Sequence, residues 1–310
     1  MNQSASALPK TMSIDPNSSD PKSIDPKFSD PMPLDPQKPI AQPTPGNLQI
    51  SGDPQMPAVP STVPDVAVGG SMLEKPGLIA PLWHTFLIVV LILANSFAGS
   101  SKLGAVNGSG SRIILYGGTF VTQFILILLV WFGIRSRGVK MRDLIGGRWK
   151  SVESFLLDVG LAAGFLVVSL LLLTLVRMAV GTLDFHNLEK QKDDTLRMLG
   201  PLAPHTYLEV GLFVLLSIFA GLFEEIIFRG YLQRQFRALG HNAVVGIVVS
   251  AAIFGLAHGY QGPRMMVVIG VFGSFFGILA HFRKSLRPGM MAHAFQDSIS
   301  GIGLFFLVRH

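Results

Sequence analysis

Two adjacent glutamates and two distant histidines carry the chemistry open to this chain. In GLFEEIIFRGYLQRQF, residues 221–236, Glu224 and Glu225 interrupt an apolar run that starts at Tyr207, and Arg229 follows Glu225 at i+4. An ionisable residue inside an apolar helix costs roughly 2.5–3.5 kcal/mol on insertion scales, which marks it as a functional candidate. The i+4 spacing places Glu225 and Arg229 on one helix face, where an ion pair neutralises both. Glu224 lies about 100° around the helix and is free to face elsewhere. One paired and one free carboxylate suit a structural acid beside a general base. The competing reading is a buried ion pair with a bystander glutamate. Further along, Phe254 and His258 share a face in SAAIFGLAHG, and His293 and Asp297 share one in MMAHAFQDS. Alone, each histidine reads most simply as a structural residue, with Asp297 orienting His293. His84, His186, His205, His241, His281 and His310 have no comparable context.

The elements that must position these residues are membrane spans. The 310 residues are 49% hydrophobic and only 14% charged, against about a quarter charged in soluble domains. The acids concentrate in residues 1–77, leaving the remaining chain net basic between long apolar runs. That pattern is flanking charge on a membrane protein and argues against a nucleic-acid partner. Seven spans are expected near 79–99, 113–134, 154–180, 208–236, 243–260, 264–282 and 288–308. The fold class is therefore all-α, a polytopic membrane helical bundle of about seven transmembrane helices behind a disordered Pro-rich tail. Three parts are expected: the tail 1–77, the first three spans with an interfacial segment over 78–204, and a catalytic helical core over 205–310. In the tail, Asp-Pro recurs at 15, 20, 25, 30 and 35, and such sequence cannot bury enough surface to offset its ordering entropy. Residues 181–207 are too polar to span, so an interfacial helix near 186–199 with a solvated charged face is expected before Gly200-Pro201.

The loop 135–150 carries six basic groups against one acid, which makes it cytoplasmic and places the N-terminus inside, in a multi-pass protein of the cell membrane. No basic stretch followed by an apolar one opens the sequence, so no cleavable signal is expected. With no cysteine, disulfides, Cys-ligated zinc and a thiol nucleophile are excluded. Counted from a turn at 237–242, Glu224 and His258 both lie about 20–24 Å along antiparallel helices. His293, by contrast, falls only about 8 Å from the start of its span. Either the last span starts earlier, or a polar cavity dips from the cytoplasm and the depth of Glu224 is overestimated.

Glu224-Glu225-x-x-x-Arg229, Phe254-x-x-x-His258 and His293-x-x-x-Asp297, in that order on successive apolar helices, resemble the CAAX-processing and bacteriocin-processing (CPBP, or Abi) family of intramembrane proteases. That family includes the type II CAAX prenyl endopeptidases. The Phe-Arg-Gly-Tyr-Leu extension at 228–232 is also typical, and the resemblance covers about 205–305. It implies that Glu224 activates water, that His258 holds or polarises that water, and that Glu225, held by Arg229, supports the first glutamate. It further implies that His293 and Asp297 stabilise the oxyanion or position the scissile carbonyl. The family carries Asn or Asp at the last position. An ionised Asp297 only accepts hydrogen bonds, so its role here would be to orient His293. Glu, His and His could ligate zinc, but no H-E-x-x-H sequence is present; a metal-free mechanism is favoured. The implied partners are a protein or peptide substrate, prenylated or not, and the lipid bilayer. The rival readings are a non-catalytic immunity or scaffold protein of the same fold, and a proton-coupled transporter, for which no repeated halves are found.

Overall fold

The computed structural model describes residues 77–183 and 185–309. The Asp-Pro tail lies outside the described residues. The chain forms α1 (Leu82–Gly104), α2 (Ser109–Arg135), the short α3 (Met141–Ile145), α4 (Val152–Ala179) and α5 (Leu188–Leu199). It continues through α6 (Tyr207–Glu224), a π-helical turn over Glu225–Leu232, α7 (Gln233–Gly240), α8 (Ala243–Ala257), α9 (Pro263–Arg283) and α10 (Arg287–Leu307). No strand occurs among the described residues. Each expected span is helical, and the helix expected near 186–199 is α5.

Among the described residues, five helical stretches are long and apolar enough to cross a membrane: α1, α2, α4, the continuous 207–240 stretch and α9. At 15 residues, α8 is about 22 Å long, short of a hydrocarbon core of about 30 Å. The last helix has the length but carries Arg287, His293, Gln296 and Asp297. Large apolar side chains face outward on the long helices, among them Phe86, Phe97 and Leu171, at 71%, 83% and 65% exposure. In water that surface would be unstable. In lipid it is the expected outer face, because the helices satisfy their own backbone groups. This is an integral membrane helical bundle.

The arginine-rich end of the bundle is tied together by buried polar contacts. Asp158, fully buried, sits 2.8 Å from Arg283 Nε and 3.6 Å from Arg287 Nη1, and accepts from Trp149 Nε1 at 2.7 Å. Arg234 donates to the carbonyls of Asp143 and Leu144, and Arg287 to that of Gly146. Gly146 adopts φ +97°, and a Cβ there would lie 2.6 Å from the Lys284 carbonyl, so only glycine allows the approach. A second network joins α1 to the 207–240 stretch: His84 Nδ1 meets Tyr231 Oη at 2.8 Å, and Gln235 donates to the Ala80 carbonyl and Thr85 Oγ1. His84 is thus a structural histidine.

The opposite end is capped around Glu209. This buried carboxylate accepts from Arg112 Nε at 3.1 Å, from the His205 amide and from Ser109 Oγ. It joins the start of α2 to the start of α6, and Thr206 caps α6 by accepting from the Glu209 amide. Between the two ends α6 and α10 touch closely. A Cβ on Gly221 would lie 2.6 Å from the Ala294 amide nitrogen, so this glycine lets the glutamate-bearing helix and the histidine-bearing helix meet.

Candidate active site

Glu224 and Glu225 stand where the α-helix gives way to the π-helical turn, a wider turn that often marks functional sites. Glu225 is fully buried, with one oxygen 3.0 Å from Arg229 Nη1. The guanidinium is held in turn by the Gly273 carbonyl at 3.1 Å and lies over the rings of Phe254 and Phe276 at 4.3 and 5.0 Å. The i+4 ion pair read from the sequence is present.

Glu224 does not point away from Glu225's partners. His293 enters from α10 between the two carboxylates: its Nδ1 donates to Glu225 Oε1 at 3.2 Å, and its Nε2 lies 3.7 Å from Glu224 Oε2 and 3.7 Å from Asp297 Oδ2. His293 is thus hydrogen-bonded to Glu225, while Asp297, which the spacing suggests as its partner, lies beside its other ring nitrogen. Helical angles describe one helix alone, whereas a side chain from a neighbouring helix can reach two positions 100° apart at once.

The depth mismatch closes for a physical reason. The hairpin tip carried by α7 projects past the Arg234 and Arg287 layer, so counting from the tip overstates the depth of Glu224. Measured from that layer, Glu224 is about 15 Å along its helix and His293 about 9 Å along its own. The side chains span the rest.

Glu224 also has a partner that no motif pointed to. Gln123 on α2 donates through Nε2 to Glu224 Oε1 at 2.8 Å, while its own carbonyl oxygen is buried without a partner. A glutamine amid an apolar run, GTFVTQFILILL, was the available signal. Replacing Gln123 with Ala is expected to lower kcat roughly tenfold, because it removes a hydrogen bond to the Glu224 carboxylate; since Gln123 also lines the cavity, KM is expected to shift as well. Steady-state kinetics on the purified variant check this.

These groups form the floor of a cavity of about 1540 Å3 that Glu224, His258, His293 and Asp297 all line. His258 ends α8, and its Nδ1 lies 2.8 Å from the Phe254 carbonyl, so Nε2 is its outward nitrogen. Tyr260, on the turn after α8, lines the same space. Gln261 donates to the Tyr260 oxygen at 3.0 Å. The cavity walls run out to Lys102, Val106, Thr182 and Lys190. The opening is therefore at the Ser109 end, away from the arginine-rich loop, and the expected dip from the loop side is not what the structure has. The polar side of α5 lines this opening through Gln191, Asp194 and Thr195, so its face is part cavity wall.

Among the described residues, no three histidine or acidic side chains are grouped as metal ligands would be. A family model described as Type II CAAX prenyl endopeptidase Rce1-like matches residues 206–299. That segment runs from the start of α6 into α10 and contains all six residues singled out above, in agreement with the resemblance read from the motifs. No curated protein and no solved structure matches the chain.

Proposed function

We propose that the protein is an intramembrane endopeptidase that hydrolyses peptide bonds of membrane-associated or lipidated proteins or peptides. The observation that carries this reading is the convergence of Glu224 and His293 on the floor of a cavity, with Glu225 buried behind His293, inside the segment similar to CAAX endopeptidases.

Peptide hydrolysis needs an activated water and a donor for the developing oxyanion. Glu224, partly open to the cavity, takes a proton from water as the oxygen attacks the scissile carbonyl. It then returns that proton to the leaving amine as the C–N bond breaks. His258 Nε2 positions the water. His293, with Nδ1 donating to Glu225, offers Nε2–H to the oxyanion in its imidazolium form. Asp297 sits beside that nitrogen, and Arg229 keeps Glu225 in place. The catalytic unit is the 205–310 segment, with the earlier spans supplying Gln123 and the far wall of the cavity.

The test is cleavage of a fluorogenic peptide panel, prenylated and not, by purified protein in liposomes with and without chelator. Turnover that survives chelation supports a water and glutamate mechanism. Loss with chelator and recovery with zinc assigns the chemistry to a metal, and no cleavage of any peptide favours the scaffold reading.

Among the described residues eleven basic groups flank the arginine-rich end and eight the cavity end, and on that bias we place the N-terminus and the 135–150 loop in the cytoplasm. Because the native chain has no cysteine, single cysteines at Arg137 and Ser109 can be labelled cleanly. An impermeant thiol reagent on intact cells is expected to modify position 109 and spare 137; the reverse pattern puts the cavity mouth, and the substrate, on the cytoplasmic side.

A further inference from the structure

We propose that the rim of the cavity holds a carboxylate-binding subsite built on Arg177 and Arg264, which anchors an anionic group of the substrate several residues from the scissile bond. The proposal rests on the endopeptidase reading above.

Arg177 lies in the last turn of α4, half-buried, with its side chain on the cavity wall. Its Nη2 donates to the Thr182 carbonyl at a long 3.4 Å, and its Nε is buried with no partner. Arg264, near the start of α9, donates Nη1 to the Gly181 carbonyl at 3.4 Å and lines the same cavity. The two guanidinium groups therefore each reach one of two consecutive carbonyls. Among the described residues neither pairs with a carboxylate, whereas Arg112, Arg229 and Arg283 each do. A guanidinium has five donors in a fork that fits a carboxylate in bidentate fashion. A half-buried one with a spare, dry N–H is poised for an anion. Lys102, Lys190 and one acid, Asp194, stand on the same rim, which stays net basic with the two arginines, while Glu224 and Asp297 are at the floor. The cavity thus runs from an acidic floor to a basic rim, a polarity that orients a peptide with its anionic end outward.

Depth sets the spacing. Arg177 is nineteen residues beyond Asp158 on α4, or about 28 Å. Asp158 pairs with Arg287, and His293 lies about 9 Å past that level. The remaining distance of about 19 Å corresponds to roughly five or six extended residues, or fewer where the arginine side chain reaches inward.

Three fluorogenic peptides of one sequence test this: one with a free C-terminal carboxylate, one amidated, and one amidated with an aspartate as its last residue. Binding is read by anisotropy on the Glu224→Gln protein, so it does not depend on turnover. The free acid is expected to bind roughly ten- to hundredfold more tightly than the plain amide. Adding Arg177→Gln, or separately Arg264→Gln, should bring that ratio toward one, and Arg177→Lys should keep part of it. If the aspartate peptide matches the free acid, the anchored group is any nearby carboxylate; if it matches the amide, the group is the chain terminus. Equal binding of acid and amide, no binding of any peptide, or an unchanged ratio in both glutamine variants overturns the subsite. Cleavage by the wild-type protein is scored separately, so a failed protease reading shows there and not in the binding ratio.

Discussion

Glu224→Gln lowers kcat for peptide cleavage by about a hundredfold to ten-thousandfold, the range a lost general base accounts for, while the folded protein persists. The substitution keeps size and shape. The glutamine carbonyl can still accept from Gln123 Nε2, which now holds Glu224 Oε1 at 2.8 Å, so the contact between α2 and α6 survives. What disappears is a group able to take a proton from water. Thermal unfolding in detergent should match wild type within a few degrees, and KM should change little, because substrate is held by the cavity walls and not by this oxygen. A well-folded Glu224→Gln protein with wild-type turnover would falsify the assignment of the base and return the site to a structural role.

Arg229→Ala has the second large effect, and it acts on stability first. The guanidinium is 1% exposed and its carboxylate partner 0%, so removing it leaves Glu225 in a dry interior with His293 as its one remaining charged partner, at a cost of up to about 3–5 kcal/mol. The stacking on Phe254 and Phe276 and the bond to the Gly273 carbonyl go with it. A marked drop in unfolding temperature and a loss of activity are expected together. The double variant Glu225→Gln, Arg229→Met separates the two effects. It leaves no buried unpaired charge, so much of the stability should return. Activity should not return, because His293 Nδ1 has lost the carboxylate that holds it at 3.2 Å. Unfolding temperature and kcat measured on all three proteins check this. If activity recovers along with stability, Glu225 is only a packing element.

Much of the architecture was legible along the chain because insertion into lipid is a local rule. A run of about twenty apolar residues must be helical to satisfy its own backbone, so the spans could be read one at a time, and the i+4 pairs within them followed from helix geometry. Gln123 was not legible as a site residue. A single glutamine in an apolar helix has no partner until another helix is packed against it, and its partner lies 101 positions away. Asp158 was missed for the same reason: it sits six residues into α4 and becomes meaningful only beside Arg283, Arg287 and Trp149. The depth of Glu224 was misjudged because the turn at 237–242 was taken as the bundle's edge, whereas α7 carries it past the layer where Arg234 and Arg287 bind carbonyls.

The amino-acid sequence alone determined a polytopic helical membrane protein, the order of its helices, the Glu225–Arg229 pair and the six residues worth testing. The first three depend on hydropathy or on spacing within one helix, whereas the two histidines and Asp297 were singled out by the resemblance that the three motifs carry together. Tertiary structure decided that His293 stands between both glutamates, that Glu225 accepts its Nδ1 hydrogen bond while Asp297 lies beside Nε2, that Gln123 holds Glu224, and that the cavity opens away from the arginine-rich loop. Those facts depend on close contacts between helices far apart in sequence, such as the one that Gly221 permits against Ala294, and no period within a single helix encodes them.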